Sequence, residues 1–326
     1  MDRRKLITIC VPVLNEEANI AKLYAAVAEL RRSLSDRYRF ELLFTDNHST
    51  DGTFALLTEL AQRDSDVRVL RFSRNFGFQP SVLTGYLNAR GDAVIQLDCD
   101  LQDPPALIPR LLELWEAGNQ VVYGVRDQRT EGRLLTFTRR CFYRVIHGLS
   151  DSELPLDAGD FRLVDRRVIE ELARIDDATP YVRGTIATLG FNQVGVPYAR
   201  AARQAGESKF RMKDLMSLAM DGIFNHSFVP LRLATYVSLT IALATLILIL
   251  AYVAGRLFFA QSWPPGFATL VVLILLSISL NALFFGILGE YVARIYRQVK
   301  KRPLTIVERE LNGRAQEQPV APDRAA

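Results

Sequence analysis

The stretch LITICVPVLNEEANIAKLYAAVAELRRSL, residues 6–34, sets the fold. Its first part, Leu6–Val13, is a short apolar run with the composition of a buried strand. The polar residues NEE at 15–17 interrupt this run too early for the apolar core of a signal peptide. Residues 18–34 then place apolar side chains at helical spacing. The stretch therefore predicts a β-strand followed by an amphipathic helix.

The same alternation continues to about residue 165. Apolar runs at 40–47, 67–73 and 92–100 predict further strands, and residues 51–63 and 81–90 predict helices between them. Repeated strand–helix–strand units are typical of an α/β fold with a Rossmann-like, mostly parallel sheet. In such sheets ligands collect at the carboxyl ends of the strands, where this chain carries polar residues. We expect these segments to converge on one crevice: Asn15–Glu17, Asp46–Ser49, Ser73–Asn75 and Asp98–Asp103.

The charge distribution indicates a membrane more than nucleic acid. The formal net charge is +4, and the basic residues of the second half concentrate at 209–213 and 294–302. These clusters flank two long apolar segments, as a basic juxtamembrane band does. We therefore expect no nucleic-acid partner. The three cysteines, Cys10, Cys99 and Cys141, form no C-x-x-C pair, so we assign neither a disulfide nor a zinc site.

Two apolar segments, at about 233–255 and 267–288, each supply the roughly 20 residues that cross a bilayer core. More basic residues lie on their outer flanks than in the loop between them, so the positive-inside rule places both flanks in the cytoplasm. The chain is thus predicted to be a multi-pass protein of the bacterial inner membrane. Its large N-terminal domain and both termini would be cytoplasmic.

The remaining segments complete the predicted organisation. Residues 209–231 mix basic residues with Met, Leu and Phe, which indicates an amphipathic helix in the membrane interface. An ordinary amphipathic helix packed on the soluble domain is the alternative. Self-association through the membrane helices would give a homo-oligomer. In order, we predict a catalytic domain at 1–208, the interfacial helix at 209–231, the two spans within 232–290, a basic juxtamembrane helix at 291–311 and a disordered tail at 312–326.

The segment LDCDLQDPP at 97–105 carries the clearest chemistry. Asp98 and Asp100 follow an apolar strand, and Gln102 adds an amide oxygen. Hard oxygen ligands of this kind suit Mg²⁺ or Mn²⁺, with a nucleotide diphosphate supplying the remaining ligands. Such a metal would neutralise charge developing on the leaving diphosphate. A solvated turn is the alternative explanation of an Asp-x-Asp pair.

Other loop residues indicate donor binding. Asp46 is placed to accept hydrogen bonds from a nucleobase or ribose, and Glu16 is expected to join it. Residues 49–53 can turn the chain and cap the next helix. Arg74 of SRNFG, residues 73–77, could contact a phosphate through its planar guanidinium group. A purely structural turn explains that segment equally well.

Taken together, the motifs resemble those of inverting GT-A glycosyltransferases that load polyisoprenyl phosphates. That group includes dolichyl-phosphate mannose synthase and bacterial bactoprenol glucosyltransferases, and a form with two C-terminal spans is most similar to the latter. The resemblance extends from about residue 7 to 302. The motifs that carry it are VPVLNEE, TDNHSTDGT, SRNFG, LDCDLQDPP, DAGDFRL at 157–163 and RQAGESKF at 203–210.

The resemblance implies a role for individual residues. Asp157 matches an acidic residue near the acceptor phosphate, with Asp160 as a second candidate. The implied catalytic residues are Asp157, Asp100, Arg203 and Lys209. The implied donor-binding residues are Pro12, Asn15, Glu16, Asp46, Asp98, Gln102 and Arg126. The implied acceptor-phosphate residues are Arg162, Ser208, Lys209 and Arg139. The implied metal ligands are Asp98, Asp100 and Gln102.

The expected reaction moves a sugar from a nucleotide-sugar donor, with UDP-glucose as first choice, onto undecaprenyl phosphate with inversion. UDP-N-acetylglucosamine, UDP-galactose and GDP-mannose stay open as donors. A processive polysaccharide synthase and a non-enzymatic nucleotide-binding scaffold are the alternatives. The first would usually carry a Gln-x-x-Arg-Trp motif, which this sequence lacks. Two departures from the family pattern are present: Asn47-His48, which is tolerable because Asp46 remains, and Phe78-Gln79, which leaves the local contact to the acceptor or donor open.

Overall fold

The computed structural model describes residues 4–126, 158–199, 266–300 and 302–313, together with single positions between 236 and 254. These residues belong to two compact units. The first unit holds the described stretches 4–126, 158–199 and 302–313, and the second holds the rest. The first unit is therefore assembled from three separate stretches of the chain.

One eight-stranded sheet forms the centre of the first unit. In chain order its strands are β1 (Lys5–Val13), β2 (Tyr38–Asp46), β3 (Val67–Phe72), β4 (Ala93–Gln96), β5 (Val121–Arg126), β6 (Ala158–Asp165), β7 (Gln193–Tyr198) and β8 (Val307–Leu311). They lie side by side in the order β7-β5-β6-β4-β1-β2-β3-β8. Strands β6 and β8 run antiparallel to their neighbours, and the other six run parallel to one another. The predicted mostly parallel α/β sheet is confirmed.

Helices cover both faces of this sheet. They are α1 (Glu17–Ser33), α2 (Thr53–Arg63), α3 (Phe78–Asn88), α4 (Ile108–Glu116), α5 (Arg166–Ala173) and α6 (Val182–Thr188). Apolar residues of α1, α2 and α4 join one buried cluster, and those of α3, α5 and α6 join a second. Successive strand residues such as Ile9 and Cys10 are both fully buried because each points into a different cluster.

The close approach of α3 to the sheet depends on one glycine. A Cβ atom added to Gly85 would lie 2.1 Å from the sulfur of Cys10 on β1. That distance is far below a van der Waals contact, so a larger residue would push α3 off the strand. The absence of a side chain at 85 thus sets the position of α3 and of the loop that precedes it.

The C-terminal stretch of the first unit corrects one expectation. Residues 291–311 were predicted to form a single basic helix, but the helix ends at Val299 and Val307–Leu311 is strand β8. Pro303 gives the physical reason, because proline lacks a backbone N–H and disfavours helix in the residue before it. The short, charged sequence VEREL then suits an edge strand. Of the predicted tail, residues 314–326 lie outside the described residues.

The second unit contains α7, a single helix of 33 residues from Phe267 to Val299. Many of its large apolar side chains are exposed, among them Leu270, Leu273, Ile274, Leu276, Ile278, Phe285 and Leu288. Within the part of the chain that the structure describes, no helix combines the length and hydropathy needed to cross a membrane. The two spans therefore stay a prediction. The proposed interfacial helix at 209–231 lies outside the described residues.

Candidate functional site

The loops that follow β1 and β2 are joined by polar contacts, and we call residues 14–17 and 46–53 the paired loops. Asn15 has a φ of 56°, in the left-handed region that Asn tolerates better than most residues. Its side-chain oxygen accepts a hydrogen bond from Thr50 N at 2.8 Å, and its N–H donates to Ser49 Oγ at 2.9 Å. Glu16 N donates to Thr53 Oγ1 at 2.8 Å. The predicted convergence of these two loops is confirmed.

Asp46, at the end of β2, lies at the base of the paired loops and is fully buried. Its Oδ1 accepts a hydrogen bond from Ser49 N at 2.9 Å and so fixes the turn that follows the strand. Its Oδ2 makes no hydrogen bond among the described residues, but faces Arg71 Nη1 at 3.4 Å. Asp46 thus has a structural role that the sequence did not reveal. Its predicted hydrogen bonds to a nucleoside stay a prediction.

Asn47 ties the paired loops to the SRNFG loop. Its side-chain oxygen accepts from Phe76 N at 2.8 Å, and its side-chain nitrogen donates to Gly77 O at 3.0 Å. Asn47 departs from the family pattern, yet its side-chain amide supplies both a donor and an acceptor to the SRNFG loop. The neighbouring His48 has a φ of 65°, and its Nδ1 lies 2.9 Å from Phe72 O. His48 is therefore a turn residue.

The SRNFG loop, residues 73–77, is also shaped from within. Asn75 Oδ1 accepts from Gly77 N at 2.8 Å, and Gly77 has a φ of 97° that favours glycine. Exposed Arg74 stacks over the ring of Phe76, with 4.0 Å between the guanidinium carbon and the ring centroid. These contacts support the structural role of the loop, and a phosphate contact of Arg74 stays a prediction. Next to it, Gln79 Oε1 accepts from Val182 N at 2.9 Å, which links the start of α3 to α6.

The segment that follows β4, residues 97–103, is here called the aspartate loop. Asp98 is half-buried and Asp100 is buried, with Asp100 Oδ1 accepting from Gln102 N at 3.1 Å. Leu101, between Asp100 and Gln102, has a φ of 54°, which is uncommon for a residue with a branched side chain. Strained backbone of this kind is concentrated at functional sites. Asp103 is fully buried and hydrogen-bonded to Tyr198 Oη, so β7 helps to hold this loop.

Electrostatics around Cys99 show that carboxylates from two loops lie near one another. Burial raises the pKa of the Cys99 thiol well above its ordinary value, and the negative charges of Glu16, Asp100 and Asp98 raise it further. Glu16 belongs to the paired loops, whereas the two aspartates belong to the aspartate loop. The structure therefore brings the predicted nucleoside residue and the predicted metal ligands to the same edge of the sheet.

The donor set of the aspartate loop fits a phosphate-bound divalent cation. Among the described residues, no group of three His, Cys, Asp or Glu side chains is arranged to hold a metal by itself. Mg²⁺ is usually bound through one or two carboxylates together with substrate phosphates, so a complete protein cage is not required. Asp98, Asp100 and the amide of Gln102 supply oxygen atoms of this type within one short loop. These three residues would hold the metal.

Strand β6 carries two residues of the predicted acceptor side, Asp160 and Arg162. Strand β6 runs antiparallel to β4 with Gln96 opposite Arg162, which brings Asp160 toward the level of Asp98. Burial raises the pKa of Tyr86. Of the charged groups that also shift this pKa, Arg162 lowers it, whereas Cys10, Asp160 and Asp98 raise it. Asp160, the second candidate from the sequence, therefore lies in the neighbourhood of the aspartate loop.

Three further predicted site residues belong to strands of the sheet. Arg162 is buried and donates from Nη2 to Gly159 O at 2.8 Å, so its predicted contact with the acceptor phosphate stays a prediction. Pro12 is half-buried in β1, and Arg126 is the last residue of β5. Five predicted residues lie outside the described part of the chain: Asp157, Arg139, Arg203, Ser208 and Lys209.

Comparison with known proteins gives consistent relatives. Residues 8–173 match the model of glycosyl transferase family 2. The uncharacterized glycosyltransferase YkcC of Bacillus subtilis (strain 168) is 39% identical over 310 residues, which cover 95% of each chain. The prophage bactoprenol glucosyl transferase homolog of Escherichia coli (strain K12) is 36% identical over 304 residues, 93% of this chain and 98% of that one. The bactoprenol glucosyl transferase of Shigella phage SfII is 37% identical, covering 94% and 99%.

Among solved structures, the mannosyltransferase PcManGT of Pyrobaculum calidifontis, in complex with GDP-Man and Mn²⁺, is 18% identical, with a TM-score of 0.48 over 91% of this chain and 87% of that one. The family match and the long alignments confirm the resemblance drawn from the motifs. They agree with the GT-A type of α/β fold and with an edge of the sheet that collects carboxylates. This chain belongs to glycosyl transferase family 2.

Proposed function

We propose that this enzyme transfers a sugar from a nucleotide-sugar donor to the phosphate of a polyisoprenyl lipid, with UDP-glucose and undecaprenyl phosphate as the first choices. The observation that carries the proposal is the parallel pairing of β1 with β4, which places Glu16, Asp98 and Asp100 at the same edge of the sheet, where all three charges raise the pKa of Cys99. Relatives aligned over nearly their whole length include proteins named bactoprenol glucosyl transferase. The first point favours a nucleotide-sugar donor, and the second favours a lipid-phosphate acceptor for this family 2 chain.

The donor lies across the two loop groups in this proposal. The paired loops, with Asn15, Glu16 and Asp46, hold the nucleoside. The aspartate loop faces the diphosphate, where Asp98, Asp100 and Gln102 hold Mg²⁺ or Mn²⁺. When bound, such a metal neutralises the charge that develops on the leaving diphosphate. The buried position of Asp100 supports this assignment, because a desolvated carboxylate attracts a cation more strongly than a solvated one.

The acceptor needs little activation. A phosphate monoester has a second pKa of about 6, so its oxygen is already anionic at neutral pH. That oxygen forms a bond to the anomeric carbon of the sugar as the bond from this carbon to the nucleotide diphosphate breaks. A single in-line displacement of this kind inverts the anomeric configuration. The protein has to align the two reactants and screen their negative charges from each other.

Residues of the acceptor side follow from the family resemblance. Asp157, with Asp160 as the second candidate, positions the acceptor phosphate or takes part as a base. Arg203 and Lys209 share the phosphate charges with Arg126, and Ser208, Arg139 and Arg162 complete the acceptor site. The position of Asp160 on β6, antiparallel to β4, supports an acceptor site beside the aspartate loop.

The lipid acceptor places the reaction at a membrane. We propose that the chain works at the cytoplasmic face of the bacterial inner membrane, anchored through 233–255 and 267–288, with both termini cytoplasmic. The exposed apolar side chains of α7 support contact with lipid, since a water-exposed patch of this size is unusual in a soluble protein. Self-association through the same segments is part of the proposal.

A label-transfer assay tests the reaction. The purified full-length protein is incubated with undecaprenyl phosphate and each of several radiolabelled nucleotide sugars, with Mg²⁺ or Mn²⁺ and with EDTA. We expect metal-dependent label in the lipid fraction for one donor, and an inverted anomeric linkage by NMR. The D66N variant serves as the control, because it alters an exposed aspartate just before β3, at the opposite end of the strands from the loops. Nucleotide binding without lipid product from any donor would overturn the proposal and favour a scaffold.

A further inference from the structure

The edge of the sheet beside the paired loops is made by the C-terminal strand. Strand β8 pairs antiparallel with β3, so that Val69 lies opposite Leu311 and Arg71 opposite Arg309. Just before β8, Ser73 N donates to Ile306 O at 2.9 Å. A segment that is more than 230 residues away in sequence thus lies next to the loop after β3.

Both ends of this segment are fastened to the first unit. At its start, the hydroxyl groups of Thr305 and Thr84 are 2.8 Å apart. At its end, Asn312 Nδ2 donates to Ala61 O at 2.6 Å and to Val67 O at 2.8 Å. Contacts at both ends hold β8 in a fixed position, and any side chain it directs toward the paired loops is fixed with it.

Glu308 of β8 is such a side chain. Its Oε2 lies 3.7 Å from Arg71 Nε and 3.9 Å from His48 Nδ1. Arg71 in turn directs Nη1 toward Asp46 Oδ2 at 3.4 Å, and Nη2 donates to Ser49 O at 3.4 Å. The guanidinium group of Arg71 therefore lies between the C-terminal strand and the turn that ends β2.

Because Asp46 is fully buried, its carboxylate needs the positive charge that Arg71 supplies. A fully buried carboxylate is costly unless it faces a cation or hydrogen-bond donors, and Asp46 Oδ2 has no hydrogen bond among the described residues. Arg71 supplies the positive charge and also holds the carbonyl of Ser49. The ring of Phe54, 4.1 Å from the guanidinium carbon, and the carboxylate of Glu308 keep Arg71 in place.

We infer that Arg71, held by Glu308 of the C-terminal strand, is a positioning residue for the donor site. It keeps Asp46 and the 46–49 turn in the shape that receives the nucleoside. Strand β8 therefore contributes to donor binding through Glu308, in addition to forming the edge of the sheet. This inference rests on the proposed function, because it assumes that the paired loops bind a nucleotide.

A neighbouring contact on the same strand gives a matched control. Glu310 also pairs with an arginine of β3, at 2.7 Å from Arg68 Nε, but this pair joins Glu41 and lies at the opposite end of the strands from Asp46. Loss of Glu310 weakens the attachment of β8 without touching the turn. Comparing E308Q with E310Q thus separates positioning of the donor site from simple stability.

The test measures nucleotide binding and turnover in full-length R71Q, R71K, E308Q and E310Q proteins. The probe is UDP, with GDP in parallel, titrated by calorimetry in the presence of Mg²⁺. We expect the UDP Kd and the donor KM to rise about tenfold in R71Q, which is about the size of one charged hydrogen bond. In E308Q we expect a rise of about threefold, because a partly exposed ion pair contributes less. R71K should recover part of the loss. The kcat at saturating donor should stay near that of the wild type.

E310Q should lower Tm while leaving the Kd and the KM unchanged. If R71Q and E308Q bind UDP as tightly as the wild type, the inference is wrong. It is also wrong if E310Q raises the Kd as much as E308Q does, since the effect would then be one of stability. A wild-type protein that binds neither nucleotide would refute the proposed function itself, and this inference with it.

Discussion

The paired loops and the aspartate loop use their polar atoms in different ways. In the paired loops, Asn15, Ser49 and Thr50 are engaged with one another through contacts between 2.8 and 2.9 Å. In the aspartate loop, the hydrogen bond from Gln102 N to Asp100 is local, across two residues. The paired loops join two distant parts of the chain through several such bonds. The aspartate loop is anchored to β7 at Asp103, and it places Asp98 and Asp100 on a short, strained turn.

This difference indicates a division of labour. Many mutual hydrogen bonds make a rigid surface, and a rigid surface suits the recognition of a ligand with little change between ground state and transition state. Carboxylates on a short turn suit a charge that develops during the reaction. We therefore expect substitutions in the paired loops to change the donor KM and the stability, and substitutions in the aspartate loop to change kcat.

The largest effect is expected for Asp100. The D100N variant keeps the size of the side chain but removes the negative charge proposed to hold the metal. We expect kcat to fall by about 10²–10³-fold, in the range seen when one electrostatic contact to a transition state is lost. Initial rates at saturating donor measure this. A D100N enzyme with a normal kcat but a raised KM would contradict the proposed difference between the aspartate loop and the paired loops.

The next largest effect is expected for Asp46. In D46N the amide oxygen can still accept from Ser49 N, but the charge facing Arg71 is lost. Arg71 then faces the charge of Glu308 alone and is held less firmly against the turn that ends β2. We expect the donor KM to rise by about tenfold with a smaller change in kcat, since a tenfold change equals about 1.4 kcal/mol. A loss of kcat as large as that of D100N would show that the two regions act as one.

A smaller effect, on stability, is expected for Asn47. The N47A variant leaves Phe76 N and Gly77 O without the partners they have in the native loop. Two unsatisfied backbone groups cost about 2 kcal/mol in a partly buried site. With an unfolding entropy of about 2.1 cal/mol/K per residue, this corresponds to a fall in Tm of about 3 °C for a chain of 326 residues. Thermal unfolding in detergent measures it, and faster hydrogen exchange limited to residues 73–77 would sharpen the assignment.

The smallest effect is a pH dependence at Asp51. Desolvation acts to raise the pKa of this carboxyl, but hydrogen bonds from the Thr53 side chain, Thr53 N and Glu17 N outweigh it and lower the pKa. A folded-state pKa below the unfolded value gives stability that is complete above the unfolded pKa of about 4 and is lost as the pH falls through the folded pKa. The Tm difference between wild type and D51N should therefore shrink between pH 6 and pH 3. A constant difference would mean that the charge has no role.

The sequence predicted the aspartate loop more fully than the paired loops, and the reason is physical. Asp98 and Asp100 follow an apolar strand directly, so their place at the carboxyl edge follows from local order. The hydrogen bonds of Asn47 reach a loop about 30 residues further on, and nothing in the local sequence specifies that partner. The same holds for Arg71. Nothing in the local sequence distinguishes it from the other arginines, and only the fold places it beside Asp46.

Strand β8 was the least predictable element. Five residues with three charges carry too weak a pattern to identify a strand, and their partner β3 is far away in the chain. The helix that precedes them reads as continuous by composition, since basic residues also favour helix C-termini. Only the tertiary fold shows that the chain after α7 returns to the sheet.

The return of the chain at β8 also bears on how the protein is made. The ribosome synthesises β3 well before β8, so the edge of β3 stays unpaired while the more than 230 residues between the two strands are translated. An open strand edge invites pairing with other chains. A nascent or truncated form that stops before residue 307 therefore exposes the unpaired, aggregation-prone edge of β3, which β8 covers in the folded protein. Synthesis and pairing of β8 are then also the steps that protect the sheet from aggregation.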